Sequence, residues 1–301
     1  MGDPSLMSTP RVARRATNSL SSFPAASLLI TRDTDRGSMH PMSSEQPRRC
    51  REHGKIVLKY LDIKGLAEPV RLALHIGGVE FEDVRVTYDD VAATKADAAA
   101  NPTGGVPILS INGACFSQSA ALLRWAGRMT GLYPDGGLRQ LRVDMVEETL
   151  NDLRRAFVPQ WYGNALPRDP ATGTLPAETA LSQAQRDAVP RLINDVYLPA
   201  RLRQLEEIVG SSTGLRDGGG SVRAEGEAGG NPGPFVCGED LSIADLSVYV
   251  LLEGLTDKAV PYCRDVDATE VLKGLPRLTA LVAAVAAHPK VVEWNRVRWN
   301  R

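Results

Sequence analysis

A strand pattern, a helical pattern and a second strand pattern follow one another in one stretch, and this order constrains the fold more than any other feature. Residues 55–61 begin the stretch as a short strand, and residues 66–76 place apolar side chains at helical spacing up to Gly77 and Gly78. Residues 80–86 supply the second strand. The connection suits a crossover helix, so the two strands are predicted to run parallel.

The segment 106–116 is the clearest hairpin in the sequence. Two apolar runs flank an Asn-Gly dipeptide at 112–113, which is favoured in a two-residue type I′ turn. An apolar helical run follows at 120–128, and Ser119 is predicted to be its N-cap. Together these elements predict a small α/β domain with a mixed sheet over residues 55–132.

Strand patterns nearly vanish after this point, and residues 138–301 are predicted to form an all-helical domain. Apolar side chains recur at spacings of three and four, as in the buried stripe of a long helix, at Val143, Val146, Leu150, Leu153 and Phe157. A second helix is predicted over 188–209, bent near Pro199. Ser242 and Asp245 have the spacing of a capping box, which predicts a helix start and a structural role for Asp245.

Two stretches do not fit a packed helical bundle. The stretch near 164–178 is rich in Pro, Thr and Ala, and the stretch near 210–234 is dominated by Gly. Both are predicted to be exposed flexible insertions. A phosphate-binding loop at the glycines 218–220 is disfavoured, because no Lys-Ser or Lys-Thr follows them and no strand precedes them.

Residues 1–54 lack sustained hydrophobic periodicity and are predicted to lie outside the fold. From Pro4 to Arg32 they combine several Arg with many Ser and Thr and contain no acidic residue, a composition typical of organellar transit peptides. Asp33 and Asp35 interrupt this composition. A targeting peptide, a disordered arm and an artefact of the chosen start codon each account for it.

Charge and cysteine usage argue against several classes of function. A formal net charge of -1 gives no electrostatic reason to expect nucleic acid as a partner. No apolar run approaches the roughly 20 residues that span a bilayer, so no integral membrane association is expected. The cysteines are far apart and form no C-x-x-C motif, at Cys50, Cys115, Cys237 and Cys263. This spacing predicts no metal site and favours free thiols in a reducing compartment.

Tyr60 is the first candidate for chemistry. It stands at the end of the strand pattern, shortly before Gly65 and the start of a helix, where a phenol is well placed to serve a binding site. The residues around it leave two interpretations open. Tyr60 is either a catalytic hydrogen-bond donor to a thiol or an ordinary half-buried strand residue, because tyrosine is common in strands.

Pro107 marks a second candidate region. It stands where an apolar strand begins, and since proline cannot donate a ladder hydrogen bond, it indicates a special backbone geometry such as a cis bond. A cis bond after Val106 would expose the backbone N–H and C=O of Val106 to a peptide-like ligand. Ser119, at a helix N-terminus, favours a carboxylate. Together these features predict a pocket for a small anionic peptide.

Four motifs, in this order, resemble those of the cytosolic glutathione transferases, most closely the tyrosine-type group with the sigma, alpha, mu and pi classes. The motifs are KIVLKYLDIKGLAEPVR, GGVPIL, SQSAALLRW and LSIAD, and the resemblance covers about residues 55–294. It implies a thioredoxin-like domain that binds glutathione, then an all-helical domain that forms most of a pocket for hydrophobic electrophiles. It further implies a homodimer, with glutathione as co-substrate, no prosthetic group and no metal.

The resemblance implies roles for individual residues. Tyr60 matches the catalytic tyrosine of the family. Val106 matches the residue whose backbone pairs with the cysteinyl part of glutathione, and Pro107 matches the cis-proline beside it. Gln118 and Ser119 match the pair that holds the γ-glutamyl end.

Lys95 matches a lysine that often reaches the glycyl carboxylate, but other positions depart from the family pattern. Leu66 stands where many members carry an Arg that helps the catalytic tyrosine, and Val91 stands where a Trp often contacts the glycyl end. Asn151 replaces an Asp that reaches across the dimer to the γ-glutamyl amine, although Asp152 is adjacent. These departures predict weaker glutathione binding, not its loss.

The function predicted from the resemblance is conjugation of the glutathione thiolate to small hydrophobic electrophiles, a detoxification reaction, with isomerase or peroxidase side activity as in sigma-like members. The expected location is cytoplasmic, with organelle import through residues 1–54 left open. A non-catalytic protein of the same fold, for ligand binding or assembly, is the alternative, and the three departures favour it. A disulfide or dehydroascorbate reductase would need an active-site Cys, and none lies between Cys50 and Cys115.

Several other side chains have simpler interpretations. Glu68 and Arg71 are predicted to be a local helix pair or surface charges. For Phe157, Trp161 and Tyr162, lining of the electrophile pocket and core packing are equally compatible with the sequence.

Overall fold

A computed structural model of the chain shows a four-stranded sheet followed by a series of helices. The predicted extension falls outside the described residues apart from Gly54, as does most of the insertion near 210–234 and part of that near 164–178. The described residues are 54–97, 99–101, 103–167, 169, 174–211, 233–257 and 265–299. Among these residues no helix has the length and apolar character needed to cross a membrane.

The sheet has the strand order β2-β1-β3-β4. Its strands are β1 (Ile56–Leu61), β2 (Glu82–Val86), β3 (Ile108–Ile111) and β4 (Ala114–Ser117). Strand β1 runs parallel to β2 and antiparallel to β3, and β3 and β4 form a hairpin. The predicted parallel pair, the hairpin and the mixed sheet are confirmed.

Alternation along β1 determines where Tyr60 lies. Ile56, Leu58 and Tyr60 are buried on one face, while the residues between them are partly exposed. Leu58 pairs with Leu109 of β3, and Tyr60 pairs with Arg85 of β2. Tyr60 is therefore the last buried side chain of β1 and lies at the end of the strand.

Three helices accompany the sheet, α1 (Glu68–Ile76), α2 (Val91–Ala96) and α3 (Ser119–Thr130). The first begins later than predicted, because residues Gly65–Ala67 form a tighter 3₁₀ turn between β1 and α1. Pro69 lies in the first turn of α1, where its missing N–H breaks no hydrogen bond.

The N-cap of α3 is Gln118 and not Ser119, which corrects the prediction. The carbonyl of Gln118 accepts hydrogen bonds from the backbone N–H groups of Ala121 and Leu122 at 2.9 and 3.0 Å, so Ser119 is already helical. Gln118 has a φ of 75°, a conformation that few side chains other than glycine favour. Because glutamine is neither a preferred N-cap nor a preferred left-handed residue, the sequence pattern pointed to its neighbour.

In the second part of the chain the described residues form helices, as predicted, joined by loops that contain a few isolated β-bridges. Its helices are α4 (Gly137–Ala156), α5 (Val158–Tyr162), α6 (Gln183–Leu192), α7 (Leu198–Gly210), α8 (Ile243–Thr256), α9 (Thr269–Leu272), α10 (Pro276–Ala287) and α11 (Pro289–Trp294). The predicted helix at 188–209 is a pair, α6 and α7, joined by a π-helical turn at Ile193–Tyr197. Pro199 lies in the first turn of α7, close to the predicted bend.

Helices α4 and α8 form the centre of the helical core. The predicted stripe is confirmed, since all of its members are fully buried: Val143, Val146, Leu150, Leu153 and Phe157. The capping box at the start of α8 is also present. Asp245 accepts hydrogen bonds from the backbone N–H and the hydroxyl of Ser242 at 2.8 and 2.7 Å, and from the backbone N–H of Val236 at 2.7 Å. Burial raises the pKa of the Asp245 carboxyl to about 6.

Glu68 and Arg71 form a pair, as predicted, but they are not surface charges. The pair is joined at 3.2 Å, and both side chains are at most 1% exposed. Arg71 Nε also lies 2.9 Å from Asp83 Oδ1, and its Nη1 donates to the carbonyl of Ile63 at 2.8 Å. Helix α1 packs against α3, α8 and α11, so little of it reaches water and its charged side chains must find protein partners.

Candidate functional site

A cavity of about 780 Å³, the large cavity, lies where the end of β1 meets the helical part of the chain. Its lining comes from the end of β1 and the turn after it, the connection before α2, the last turn of α2, the residue before β3, helices α5 and α8 with the residue after α8, and Trp299. The lining includes Tyr60, Lys64, Gly65, Leu66, Tyr88, Lys95, Val106, Trp161, Tyr162, Val250, Glu253, Asp257 and Trp299. A concave site with an apolar wall and a few polar groups is typical of a small-molecule site.

Tyr60 lines this cavity although it is only 5% exposed. Its oxygen accepts a hydrogen bond from the backbone N–H of Leu66 at 3.3 Å. Gly65 makes this approach feasible, because a Cβ at that position would lie 2.7 Å from the Tyr60 oxygen. Its φ of +47° also favours glycine. Tyr60 is therefore a buried strand residue that also lines the cavity.

Two further predicted residues line the same cavity. Lys95 lies in the last turn of α2, and Val106 precedes β3. The bond between Val106 and Pro107 is cis, as the strand-start proline suggested. Pro107 itself is buried and does not line the cavity.

Other predicted residues lie around a small cavity of about 10 Å³. Ser119 and Asn151 both line it, and Leu66 lines both cavities, so the two are adjacent. Gln118 is exposed and lies next to Ser119 at the start of α3. Asp152 does not line either cavity.

Asp152 and Asn151 are adjacent on α4 but have different partners. Asp152 lies 3.4 Å from Arg155 and 3.5 Å from Arg201. Asn151 instead accepts a hydrogen bond from Arg154 at 3.0 Å. Neighbouring residues on a helix point in directions about 100° apart, so only one of the two can face the small cavity.

Glu147 is a buried carboxyl group that the sequence did not single out. It lines the small cavity one helical turn before Asn151. Burial raises its pKa to about 7, although Arg154 and the Ser247 hydroxyl favour the charged form. Its burial was not predictable from the sequence, because glutamate on a long helix is usually a surface residue.

Of the three aromatic residues near the end of α4, one packs in the core and two line the large cavity. Phe157 is fully buried and belongs to the core. Trp161 and Tyr162 line the large cavity and are 40% and 37% exposed. The rings of Phe157 and Trp161 meet edge to face with centroids 5.8 Å apart, so the core residue supports the cavity residue.

An ion pair and the C-terminal tryptophan complete the lining, and sequence reasoning missed both. Lys64 Nζ lies 2.5 Å from Glu253 Oε2, which joins the turn after β1 to α8. The other oxygen of Glu253 accepts from the Tyr249 hydroxyl at 3.3 Å, and burial next to this carboxylate raises the pKa of Tyr249. Trp299 follows α11 in a π-helical turn, Asn295–Trp299. No local pattern connects these residues with the cavity.

A sheet of this topology, a cis-proline before β3 and a helical domain over the end of β1 define a thioredoxin-like domain joined to an all-helical domain. Two family models match in that order, "Glutathione S-transferase, N-terminal domain" at residues 56–128 and "Glutathione S-transferase, C-terminal domain" at residues 183–298. The chain belongs to the glutathione S-transferase family.

Individual relatives agree with this assignment. The chain is 39% identical over 100 residues to glutathione S-transferase 3 of Caenorhabditis elegans, which is 33% of this chain and 47% of that protein. It is 26% identical over 239 residues to a glutathione S-transferase of Dirofilaria immitis, covering 79% of this chain and 90% of the relative. The first of these matches spans only about half the length of the curated relative.

A solved structure has the same fold. The glutathione S-transferase of Ascaris lumbricoides is 24% identical with a TM-score of 0.56, over 81% of this chain and 97% of the other. In the part of the chain that the structure describes, no cluster of three or more His, Cys, Asp or Glu could hold a metal ion.

Proposed function

We propose that the protein conjugates the thiolate of glutathione to small hydrophobic electrophiles. The observation that carries this proposal is the Tyr60 hydroxyl, which is held by the Leu66 N–H at the wall of a cavity that Lys95 and Val106 also line. Trp161 and Tyr162 line the same cavity and offer aromatic surface to an apolar co-substrate. A polar thiol-binding wall and an apolar wall thus share one space.

We assign the parts of glutathione to residues of the two cavities and their neighbours, as the family resemblance implies. The Val106 backbone, beside Pro107, would pair with the cysteinyl part, and Lys95 would pair with the glycyl carboxylate. Gln118 and Ser119 would hold the γ-glutamyl end.

Asn151 is the better candidate for the contact with the γ-glutamyl amine, because it lines the small cavity with Ser119. Asp152 is occupied by two arginines on the same chain. Asp152 remains an alternative only if a dimer partner displaces these ion pairs.

Thiol acidity explains how Tyr60 would act. An unperturbed thiol has a pKa of about 8.5, and its thiolate is the nucleophile. A hydrogen bond from the phenol favours the charged sulfur, and the bond that the Tyr60 oxygen accepts from Leu66 N–H strengthens the phenol as a donor. A fall of about two pKa units corresponds to roughly 2.7 kcal/mol. The thiol proton leaves to solvent, and the sulfur then forms a bond to the electrophilic carbon, which releases its leaving group.

We propose a glutathione-binding domain at residues 55–132 and a helical domain at residues 138–301. We further propose that the protein acts in detoxification in the cytoplasm, uses no prosthetic group and has sigma-like isomerase or peroxidase side activity.

A homodimer is supported by apolar side chains that are exposed in the single chain. They are Phe116 on the edge strand β4 and Leu138, Leu141 and Met145 on one face of α4.

The decisive experiment measures conjugation of glutathione to a chlorodinitrobenzene-type substrate by the wild type and by Tyr60→Phe. The wild type should be active, and Tyr60→Phe should lose about 10- to 100-fold in kcat/KM near neutral pH, because less thiolate forms. Tyr197→Phe is the matched control, since this exposed tyrosine lines neither cavity.

A non-catalytic protein that binds ligands is the second candidate. The apolar side chain of Leu66 favours it, because Leu66 lies between the two cavities and supplies no positive charge beside the Tyr60 hydroxyl. If wild type and Tyr60→Phe both bound glutathione and neither conjugated it, this second candidate would replace the enzyme.

A further inference from the structure

The buried carboxylate of Glu68 holds two indole groups from the end of the chain. Its Oε1 accepts a hydrogen bond from Trp294 Nε1 at 2.7 Å and another from Trp299 Nε1 at 2.7 Å. Glu68 is 1% exposed, so both bonds are made away from water. Burial raises the pKa of the Glu68 carboxyl, while Arg71 and the two indole N–H groups favour its charged form. Two short hydrogen bonds to one oxygen fix the direction of both donors.

The two tryptophans differ in what their rings touch. Trp294 is 3% exposed and packs against His75 and Phe81, with ring centroids 5.2 and 6.0 Å apart. Trp299 lines the large cavity. One carboxylate oxygen therefore holds one indole in the core and the other in the wall of the cavity.

A cation covers the Trp299 ring. The guanidinium carbon of Arg85 lies 4.2 Å from the ring centroid. Arg85 is fixed in turn by Asp83 at 2.9 Å and Asp62 at 2.8 Å. A cation over an indole face is favourable, so the ring is restrained both by its N–H and by its face.

The same cluster supports the turn that carries Tyr60. Arg71 binds the other carboxylate oxygen of Glu68 at 3.2 Å and donates to the carbonyls of Ile63 and Leu61 at 2.8 and 3.4 Å. Its guanidinium carbon lies 5.8 Å from the centroid of the Tyr60 ring. One buried ion pair thus connects the wall at Trp299 with the turn that presents the Tyr60 hydroxyl.

We propose that Trp299 is a specificity-determining residue that limits the length of the apolar group accepted beside the glutathione sulfur, and that Glu68 is the positioning residue that holds it there. This inference rests on the function proposed above. It assigns an electrophile class, compounds whose apolar part is short enough to end at the indole. A structural role alone, in which Glu68 only fastens the end of the chain to α1, would leave this selectivity unchanged when Trp299 is altered.

The test uses S-alkylglutathiones, which place an alkyl chain where the electrophile would lie. Titration calorimetry measures the affinity of S-methyl-, S-butyl- and S-decylglutathione for the wild type, Trp299→Ala, Trp299→Phe and Trp294→Phe. The two Phe variants form a matched pair, because each removes one indole N–H from the same oxygen of Glu68, but only one of the rings lines the cavity.

In the wild type, affinity should rise from S-methyl to S-butyl and level off before S-decyl. In Trp299→Ala the ratio of S-decyl to S-butyl affinity should increase on the order of tenfold, the gain from burying about two more methylene groups. Trp299→Phe should change the ratio in the same direction by a smaller factor, since a ring without its N–H anchor can move. Trp294→Phe should keep the wild-type ratio.

Two results would contradict this inference in distinguishable ways. If every variant bound S-methylglutathione like the wild type and kept the wild-type ratio, Trp299 would have no role in selectivity, while the proposed function would stand. If the wild type bound none of the S-alkylglutathiones, the proposed function would fail and the inference with it. Equal changes in the two Phe variants would show a general loosening of the chain end and would overturn the role of Trp299.

Discussion

The phenolic oxygen of Tyr60 lies 3.3 Å from the backbone nitrogen of Leu66, and the glycine between β1 and that nitrogen leaves space for the approach. The site thus depends on a backbone donor six residues along the chain. Any side chain at Gly65 would compete with the phenol for the same position.

Substitution Gly65→Ala tests this relationship. Its Cβ would lie 2.7 Å from the Tyr60 oxygen, and we expect kcat/KM to fall about 10- to 100-fold because the phenol is displaced. Alanine is also strained at the φ of +47° of this position, which should lower the free energy of unfolding by about 1 kcal/mol. Gly113→Ala is the control, since Gly113 has a φ of +85° but a Cβ there would meet no atom within 4 Å. It should lose similar stability and keep its activity; equal activity losses would show that strain alone is responsible.

The Glu68–Arg71 pair should matter for stability far more than an exposed pair of the same spacing. Arg71→Met leaves the Glu68 carboxylate buried without its cation, and we expect a loss of about 3–5 kcal/mol in the free energy of unfolding. Glu270 and Lys273 are also three residues apart but are 81% and 67% exposed, so Lys273→Met should cost less than about 1 kcal/mol. Chemical denaturation of both variants measures the difference, and similar losses would contradict this prediction.

Glu147 should make stability depend on pH. Burial raises its pKa from 4.5 to about 7, so the folded protein holds this proton over a range in which the unfolded chain releases it. The contribution of Glu147 to stability therefore falls as pH rises from about 4.5 to about 7. Glu147→Gln removes this dependence. The free energy of unfolding of the variant minus that of the wild type should therefore be larger at pH 8 than at pH 4, by on the order of 1–3 kcal/mol.

The neighbouring residue provides the control for that measurement. Glu148 is largely exposed, and its hydrogen bond with Arg124 lowers its pKa. Its pH dependence is therefore opposite to that of Glu147. Ionised Glu148 stabilises the fold above its ordinary pKa, and this contribution to the free energy of unfolding is lost as the pH falls. Glu148→Gln should therefore show no gain at pH 8 in urea denaturation. A pH-independent difference between Glu147→Gln and the wild type would contradict the assignment.

Asp245 should be among the most sensitive positions in the helical domain. Asp245→Ala leaves the N–H groups of Val236 and Ser242 buried without their acceptor, and we expect a loss of about 2–4 kcal/mol in the free energy of unfolding. Asp267 also accepts a backbone N–H, that of Thr269 at 2.8 Å, but it is exposed. Asp267→Ala should cost about 1 kcal/mol or less in thermal unfolding. Equal costs would mean that burial does not matter at this cap.

Much of the fold was predictable because its signals are local. The Asn112-Gly113 turn, the stripe of α4 and the capping box at Ser242 each follow from residues close together in sequence. Hydrogen bonding within a turn or helix and the periodicity of buried side chains are set at this range. Errors arose where a backbone conformation departed from the preference of its residue, as at Gln118.

The candidate site was predictable only in part. Tyr60, Lys95 and Val106 share a motif-bearing domain, and the structure brings them to one cavity. Trp299 and Glu253 were not found, because their contact with that cavity depends on how distant helices pack. The same holds for the burial of Glu68 and Arg71, since a pair with helical spacing looks identical in sequence whether water or protein covers it.

The sequence by itself determined the order of strands and helices, the special backbone before β3 and the family motifs, since each rests on short-range steric and hydrogen-bonding preferences. Only the tertiary structure decided that one carboxylate of α1 holds two tryptophans from the end of the chain, and that one of them forms the wall of the cavity beside Tyr60. The physical reason is desolvation: a buried charge must find partners wherever packing provides them, and packing joins residues more than 220 positions apart.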